Sequence, residues 1–217
     1  MQIIALVNQK GGVSKSTTAI HLAYWLQCKE KYKVLLVDAD SQRSSSQWLE
    51  GADFDIDYQI LSEADEILEQ VPDLAEDYDY VIIDGSASLA ENTRAILFVS
   101  DLAVIPVQAS GVDLRSANKS LRIVKQAQKV RGGLPKATVF LSRAVKGTTL
   151  KQEAIAYLKE LGETGVVTPL TTVIHQKQVI ADTSGQNATV FNLSGRSATE
   201  SANEYQKLFN EVMEVGK

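Results

Sequence analysis

Apolar positions in this chain come in short unbroken runs. "QIIALVN" (2–8), "KVLLVDAD" (33–40), "YVIIDGS" (80–86), "LAVIPVQ" (102–108) and "ATVFLSR" (137–143) lack polar alternation, as strands buried on both faces of a mainly parallel sheet require. Between them, apolar residues spaced three and four apart predict helices near residues 16–28, 44–50, 62–76, 90–98, 114–131, 150–161 and 198–214. Strand and helix repeating at this interval predict an α/β fold: a doubly wound, mainly parallel sheet flanked by helices. "FDIDYQIL" (54–61) is a weaker strand, and 165–195 is too mixed to assign. No linker, repeat or low-complexity tract interrupts the pattern, so one domain over 1–217 is expected. In the helix at 114–131, Leu114, Ala117, Leu121 and Val124 make an apolar stripe, while Arg115, Lys119, Arg122 and Lys129 share another face. Asp113 is its expected N-cap.

Composition narrows the chemistry. The 217 residues, 44% of them hydrophobic, suffice for one sizeable core and not for two large ones. Cys28 is the sole cysteine and His21 and His175 the only histidines, which leaves a disulfide framework, a zinc cluster and a cysteine-held iron–sulfur centre within one chain unsupported. A reducing cytosol is the expected compartment. No apolar run approaches the roughly 20 residues that cross a bilayer, and the chain enters its first strand without a basic leader, so secretion is not expected.

The net charge of −5 conceals an asymmetry. Residues 1–101 carry 7 Lys and Arg against 18 Asp and Glu, whereas residues 102–217 carry 15 against 9. Between Asp113 and Glu153 no acidic residue occurs, and ten basic ones do. Such a window holds a polyanion locally or is simply a solvated face; from charge alone the solvated face is the plainer reading.

The chemistry is concentrated in "NQKGGVSKSTT" (8–18), which follows the first strand and opens the first helix. Strand, glycine loop with Lys and Ser/Thr, then helix makes a nest of backbone N–H groups at a helix N-terminus, where phosphate oxygens bind. Gly11 and Gly12 let the backbone approach the phosphates, Lys15 reaches the β/γ oxygens and Ser16 ligates Mg²⁺, within a binding stretch Gly11, Gly12, Val13, Ser14, Lys15, Ser16, Thr17. A chance glycine turn is the competing reading, and the flanking strand and helix weigh against it. Asp38 and Asp84 end two further strands and face the same loop in such a sheet, where phosphoryl transfer needs a metal ligand and a positioned nucleophile. A turn or helix-cap role is the alternative for either.

With its additional lysine at Lys10, the loop resembles the deviant Walker A motif, K-G-G-x-G-K-[ST]-T, of the ParA/MinD group of P-loop ATPases. "LLVDADSQRSSS" and "YDYVIIDGSAS" resemble that group's second motif and Walker B strand, in the right order over the first 90 residues. The resemblance implies ATP and Mg²⁺ as cofactors, an ATP-dependent sandwich homodimer, Lys10 reaching across it to the partner's ATP, Asp38 orienting the attacking water and Asp84 holding Mg²⁺ through water. Lys10, Lys15 and Asp38 are thereby the expected catalytic residues. Ser14 departs from the pattern, standing where the group has its last loop glycine. That place favours a glycine conformation, so strain or an altered loop and a slow ATPase are expected.

Absences select within the group. Cluster cysteines of the nitrogenase iron protein type are missing, and "SANEYQKLFNEVMEVGK" is too acidic for a basic membrane helix, so no membrane contact is expected. Larger plasmid partition ATPases have a DNA-reading domain ahead of the first strand, which here starts at residue 2. The chain is thus most similar to small ParA proteins of the plasmid-partition and carboxysome-positioning kind. That likeness implies nonspecific DNA of the nucleoid and a small ParB-like or adaptor protein as partners, with a cytoplasmic, nucleoid-associated location, and it turns the basic window from a solvated face toward DNA. Arg115, Lys119, Arg122, Lys151, Lys177 and Arg196 are the candidate DNA or dimer contacts. A synthetase of the dethiobiotin synthetase type and a nucleotide-dependent interaction module without hydrolysis are the rival readings.

Overall fold

In the computed structural model the backbone is described for residues 1–87 and 90–217, and the side chains for the same residues except 90 and 111–116. Among the described residues, seven strands form one sheet: β1 (Gln2–Leu6), β2 (Val34–Ala39), β3 (Asp57–Ile60), β4 (Tyr80–Gly85), β5 (Leu102–Gln108), β6 (Lys136–Ala144) and β7 (Thr168–His175). Their order is β3-β2-β4-β1-β5-β6-β7 and every strand pairing is parallel. Among the described residues, eight α-helices connect or follow them: α1 (Lys15–Tyr24), α2 (Ser44–Glu50), α3 (Ala64–Ala75), α4 (Ala90–Val99), α5 (Gly111–Val130), α6 (Thr149–Gly162), α7 (Gln178–Gly185) and α8 (Arg196–Gly216). A π-helical turn, Trp25–Lys29, prolongs α1, so the helix expected to residue 28 is present with its last turn widened.

Because successive strand residues face opposite ways, the apolar runs serve two cores. Ile3, Ala5 and Val7 point to the side covered by α3, α4, α5 and α6, where Ile67, Val71, Ile96, Ala117, Val124 and Leu158 are buried. Ile4 and Leu6 point to the side of α1, α2 and α8, against Leu22, Trp48, Tyr205 and Phe209. Burial on both faces explains why the runs show no alternation. The weak strand at 54–61 is β3, an edge strand whose alternate residues are exposed. The unassigned region 165–195 contains β7 and α7; β7 closes the opposite edge and only Ile174 in it is buried, so its sequence lacks the apolar run.

The expected stripe of α5 is present in Ala117, Leu121 and Val124. The helix starts at Gly111, ahead of Asp113, so the N-cap expected of that residue is displaced; the side chains of Asp113 and Leu114 lie outside the described residues. Among the described residues, no helix is long and apolar enough to cross a membrane.

Candidate nucleotide site

The sheet order places the site. The chain leaves β1 toward β2 on one side and later reaches β5 on the other, so the C-terminal end of β1 is the point where the winding reverses, the usual binding crevice of such a sheet. The loop between β1 and α1 lies there. Asp38 and Asp84 are register partners on adjacent strands, and Leu6, near the end of β1, pairs with Asp84 in turn, so both carboxylates are carried to the loop.

Gly12 has φ 77° and Ser14 has φ 76°, both left-handed. Serine has therefore kept the conformation that favours glycine, and the strain expected at position 14 is present. Lys15 is buried and its Nζ donates to the carbonyl of Lys10 at 3.2 Å, folding the side chain back over the loop. Burial pushes its amine below the usual range, against the pull of Asp84 and Asp40. The Lys10 backbone N–H donates to Asn8 Oδ1 at 3.0 Å, so Lys10 leaves the strand end with both main-chain groups engaged.

The two aspartates differ sharply. Asp38 accepts from the backbone N–H groups of Asp40 (3.1 Å) and Ser46 (2.8 Å), the latter in the first turn of α2, so it does serve as the turn and cap residue that the sequence left open. Asp84 is fully buried and, among the described residues, neither of its oxygens has a hydrogen-bond partner. Burial raises its pKa to about 7; the hydroxyl of Ser16 draws it down, Asp38 pushes it up, and Ser45 and Lys15 pull it down again, yet none completes a hydrogen bond. The hydroxyls of Ser45, in the first turn of α2, and Ser86, just past β4, are likewise buried without a partner among the described residues. Buried oxygens left unpaired call for an outside group. A hard cation with mostly water and phosphate ligands fits one carboxylate beside the Ser16 hydroxyl, so the residues suit Mg²⁺.

A cleft of about 460 Å³ opens from the loop, lined by Gly11, Gly12, Ser14, Lys15, Ser16 and Thr17 on one side and by the β7–α7 segment, including Gln176 and Gln178, on the other. Its size suits a small-molecule ligand. The sequence did not mark Arg143 as a site residue, and of the β7–α7 wall it marked only Lys177, as a DNA or dimer contact. Arg143 and Gln108 end apolar strand runs as Asp38 and Asp84 do, so the strand-end rule applied to every strand finds them.

The basic candidates scatter. Lys119 and Arg122 are exposed on α5 with Lys125 and Lys129, whereas Lys136 begins β6 at the N-terminal end of the strands, away from the loop, and Arg131 is spent on the carbonyls of Leu97 and Ser100 at the end of α4. The acid-free window is thus not one surface. The side chain of Arg115 lies outside the described residues. Lys177 faces the cleft, with its side chain 12% exposed and paired to Glu204 at 3.0 Å. Lys151 Nζ donates to His175 Nε2 at 2.9 Å, and His175 Nδ1 meets the same Glu204 at 3.1 Å, which selects the Nδ1–H tautomer. Lys151 and Lys177 are thereby joined in one network rather than presented to solvent. Arg196 is open, its side chain 93% exposed beside Glu200.

Comparison with known proteins identifies the family. The pattern of the CobQ/CobB/MinD/ParA nucleotide binding domain matches residues 4–190. The chain is 25% identical over 214 residues to the maintenance of carboxysome distribution protein A of Halothiobacillus neapolitanus, covering 97% of this chain and 95% of that one. It is 30% identical over 245 aligned positions to the chromosome-partitioning ATPase Soj of Thermus thermophilus, covering 97% and 94%. Among solved structures, the McdA–ATP complex from Cyanothece superposes with a TM-score of 0.81 at 18% identity over 99% of this chain and 96% of that one, which supports the fold. On these findings, the chain belongs to the CobQ/CobB/MinD/ParA family of nucleotide-binding domains and is homologous to its partition and positioning ATPases.

Proposed function

We propose that this chain, acting as one domain over residues 1–217, is an ATP-dependent partition or positioning switch: an ATP-bound homodimer that holds nonspecific DNA and hydrolyses ATP, slowly, when a cargo-bound adaptor stimulates it. The observation that carries the reading is the unpaired Asp84 carboxylate beside Ser16 and Lys15, under a loop that also carries Lys10. Mg²⁺, when bound, would neutralise phosphate charge. Ser16 and Asp84 would hold it, Asp84 through water, and the Gly11–Thr17 backbone would cradle the phosphates. Lys15 would leave the Lys10 carbonyl for the phosphate oxygens, a stronger acceptor. Asp38, fixed by two backbone N–H groups, keeps further lone pairs with which to orient water. Lys10 would act on the partner's nucleotide.

Exposed Lys119, Arg122 and Arg196 supply the DNA-facing charge in this reading, with Arg115 beside them in sequence. A nucleoid-bound, cytoplasmic location follows from the same contacts. Anisotropy of a labelled random duplex with ATP·Mg²⁺, ADP·Mg²⁺ or no nucleotide, at two salt concentrations, is the direct test. Binding seen only with ATP and weakening steeply with salt is expected, because affinity here comes from phosphate neutralisation. No binding in any state overturns the DNA part.

Lys10→Ala separates the readings. Loss of a charge acting only in the transition state predicts a fall in phosphate release of about 100-fold with ATP still bound, measured as single-turnover hydrolysis. Unchanged turnover removes the trans role and moves the balance toward a synthetase acting on a small carboxylic substrate.

A further inference from the structure

The carbonyl oxygens of Lys10, Gly12 and Val13 are each held by a side chain. Lys15 takes the first. Gln108 Nε2 at 2.6 Å and Arg143 Nη1 at 3.0 Å both donate to Gly12, and Ser142 Oγ donates to Val13 at 3.0 Å. In a planar trans peptide the C=O and the following N–H point opposite ways, so each bond also sets the direction of a loop N–H. The two donors on Gly12 direct the Val13 N–H away from the ends of β5 and β6. Val13 lies between the two left-handed residues Gly12 and Ser14, the second of which holds that conformation under strain.

Arg143 reaches the loop at a cost of its own. Its φ is 50°, left-handed for a residue with a side chain, and the pairing of β6 with β7 shifts register between Leu141 and Ala144. An irregularity of this kind re-aims a side chain next to a site. An ordinary surface arginine needs neither feature. Exposed Arg143 has both, lines the cleft, and ends on a main-chain oxygen of the strained loop.

We propose that Arg143 is a positioning residue of the nucleotide loop: with Gln108 it holds the Gly12–Val13 peptide in the phosphate-accepting orientation and so offsets the strain that Ser14 brings in place of glycine. This rests on the loop binding nucleotide. Glycine at position 14 would relax the left-handed turn by itself, so the clamp matters most where serine stands. The two features are therefore coupled, and a double-mutant cycle reads the coupling.

The experiment measures affinity for a fluorescent ATP analogue with Mg²⁺ in the full chain and in Ser14→Gly, Arg143→Ala and the double variant, with Gln108→Ala as a second route to the same bond. Arg143→Ala is expected to weaken binding about five- to tenfold in the Ser14 chain and less than about twofold in the Ser14→Gly chain. Arg143→Lys, which keeps one donor without the guanidinium's reach, is expected to restore part of the loss. Equal effects in both backgrounds, or an Arg143→Ala chain that binds as its parent does, overturn the clamp and leave the nucleotide site standing. A parent chain that binds no nucleotide overturns the reading beneath it, and the clamp with it.

Discussion

Replacing Asp84 by asparagine is expected to make the nucleotide-free chain more stable while removing the magnesium dependence of nucleotide binding. The carboxyl is fully buried without a hydrogen-bond partner, and its pKa is raised from 3.8 to about 7. A carboxylate raised in this way contributes fully to stability below its unfolded pKa and loses that contribution as pH rises through the folded one, so at pH 8 the whole cost is present. Burial of this kind costs about 2–4 kcal/mol, which the neutral amide avoids, with the Ser16 and Ser45 hydroxyls nearby as acceptors. For a chain of this size that raises the melting temperature by about 5–10 °C at pH 8. The same change removes the charge that would hold Mg²⁺ through water, and the metal-dependent gain in affinity should fall by about tenfold or more. Thermal melts with and without Mg²⁺·nucleotide check both halves. A less stable variant, or one that still responds to Mg²⁺, removes Asp84 from the metal site. Stability given up at a working carboxylate is the trade expected of a functional site.

Acid should act on the far side of α1 in the opposite sense. His21 is fully buried, stacked on Tyr205 at 4.6 Å and edged by Trp48 and Phe191. Its Nδ1 lies 2.6 Å from the Thr17 carbonyl, and its Nε2 accepts from the Val190 N–H at 3.1 Å. Both ring nitrogens are satisfied only in the neutral form. Burial lowers its pKa from 6.5 to about 4, with a smaller opposing pull from Thr17. The unfolded chain therefore binds the extra proton first, so stability is complete above pH 6.5 and declines as pH falls toward 4. The loss across that window is about 3 kcal/mol. Urea melts of the parent and of His21→Phe at pH 7 and pH 4.5 isolate it: the parent should lose more than the variant by about that amount less the untitrated remainder, roughly 2–3 kcal/mol. Parallel losses in the two chains would show that His21 is not the group responsible. Because Thr17 ends the nucleotide loop, this buried ring also ties the loop's helix to the segment around Val190.

The strands and helices that flank the site were legible because their signals are local. An unbroken apolar run of five or six residues needs burial on two faces, and β1, β2, β4, β5 and β6 all have it. β3 and β7 were weak or absent for the same reason reversed: as edge strands they are covered less, and their residues carry little hydrophobic pattern. Lys15 and Ser16 were candidates because a phosphate loop is contiguous, and Asp38 and Asp84 because each ends an apolar run. Arg143 ends an apolar run too, but nothing local marks its link to Gly12, which spans 131 positions, or the network of Lys151, His175, Lys177 and Glu204, which joins β7 to α6 and α8.

By itself the sequence determined the doubly wound class, the place of the nucleotide loop and the residues with the chemistry for it, since each depends on neighbours a few positions away. Only the tertiary structure decided which charges are free to act. It left Asp84 unpaired and tied Asp38 to two backbone N–H groups, although both end buried strands. It also divided a basic window, continuous along the chain, among a helix face, a helix end and the two ends of β6. Charge counts along a chain add without regard to direction, whereas hydrogen bonds and desolvation depend on where each side chain ends in space, and folding alone assigns that.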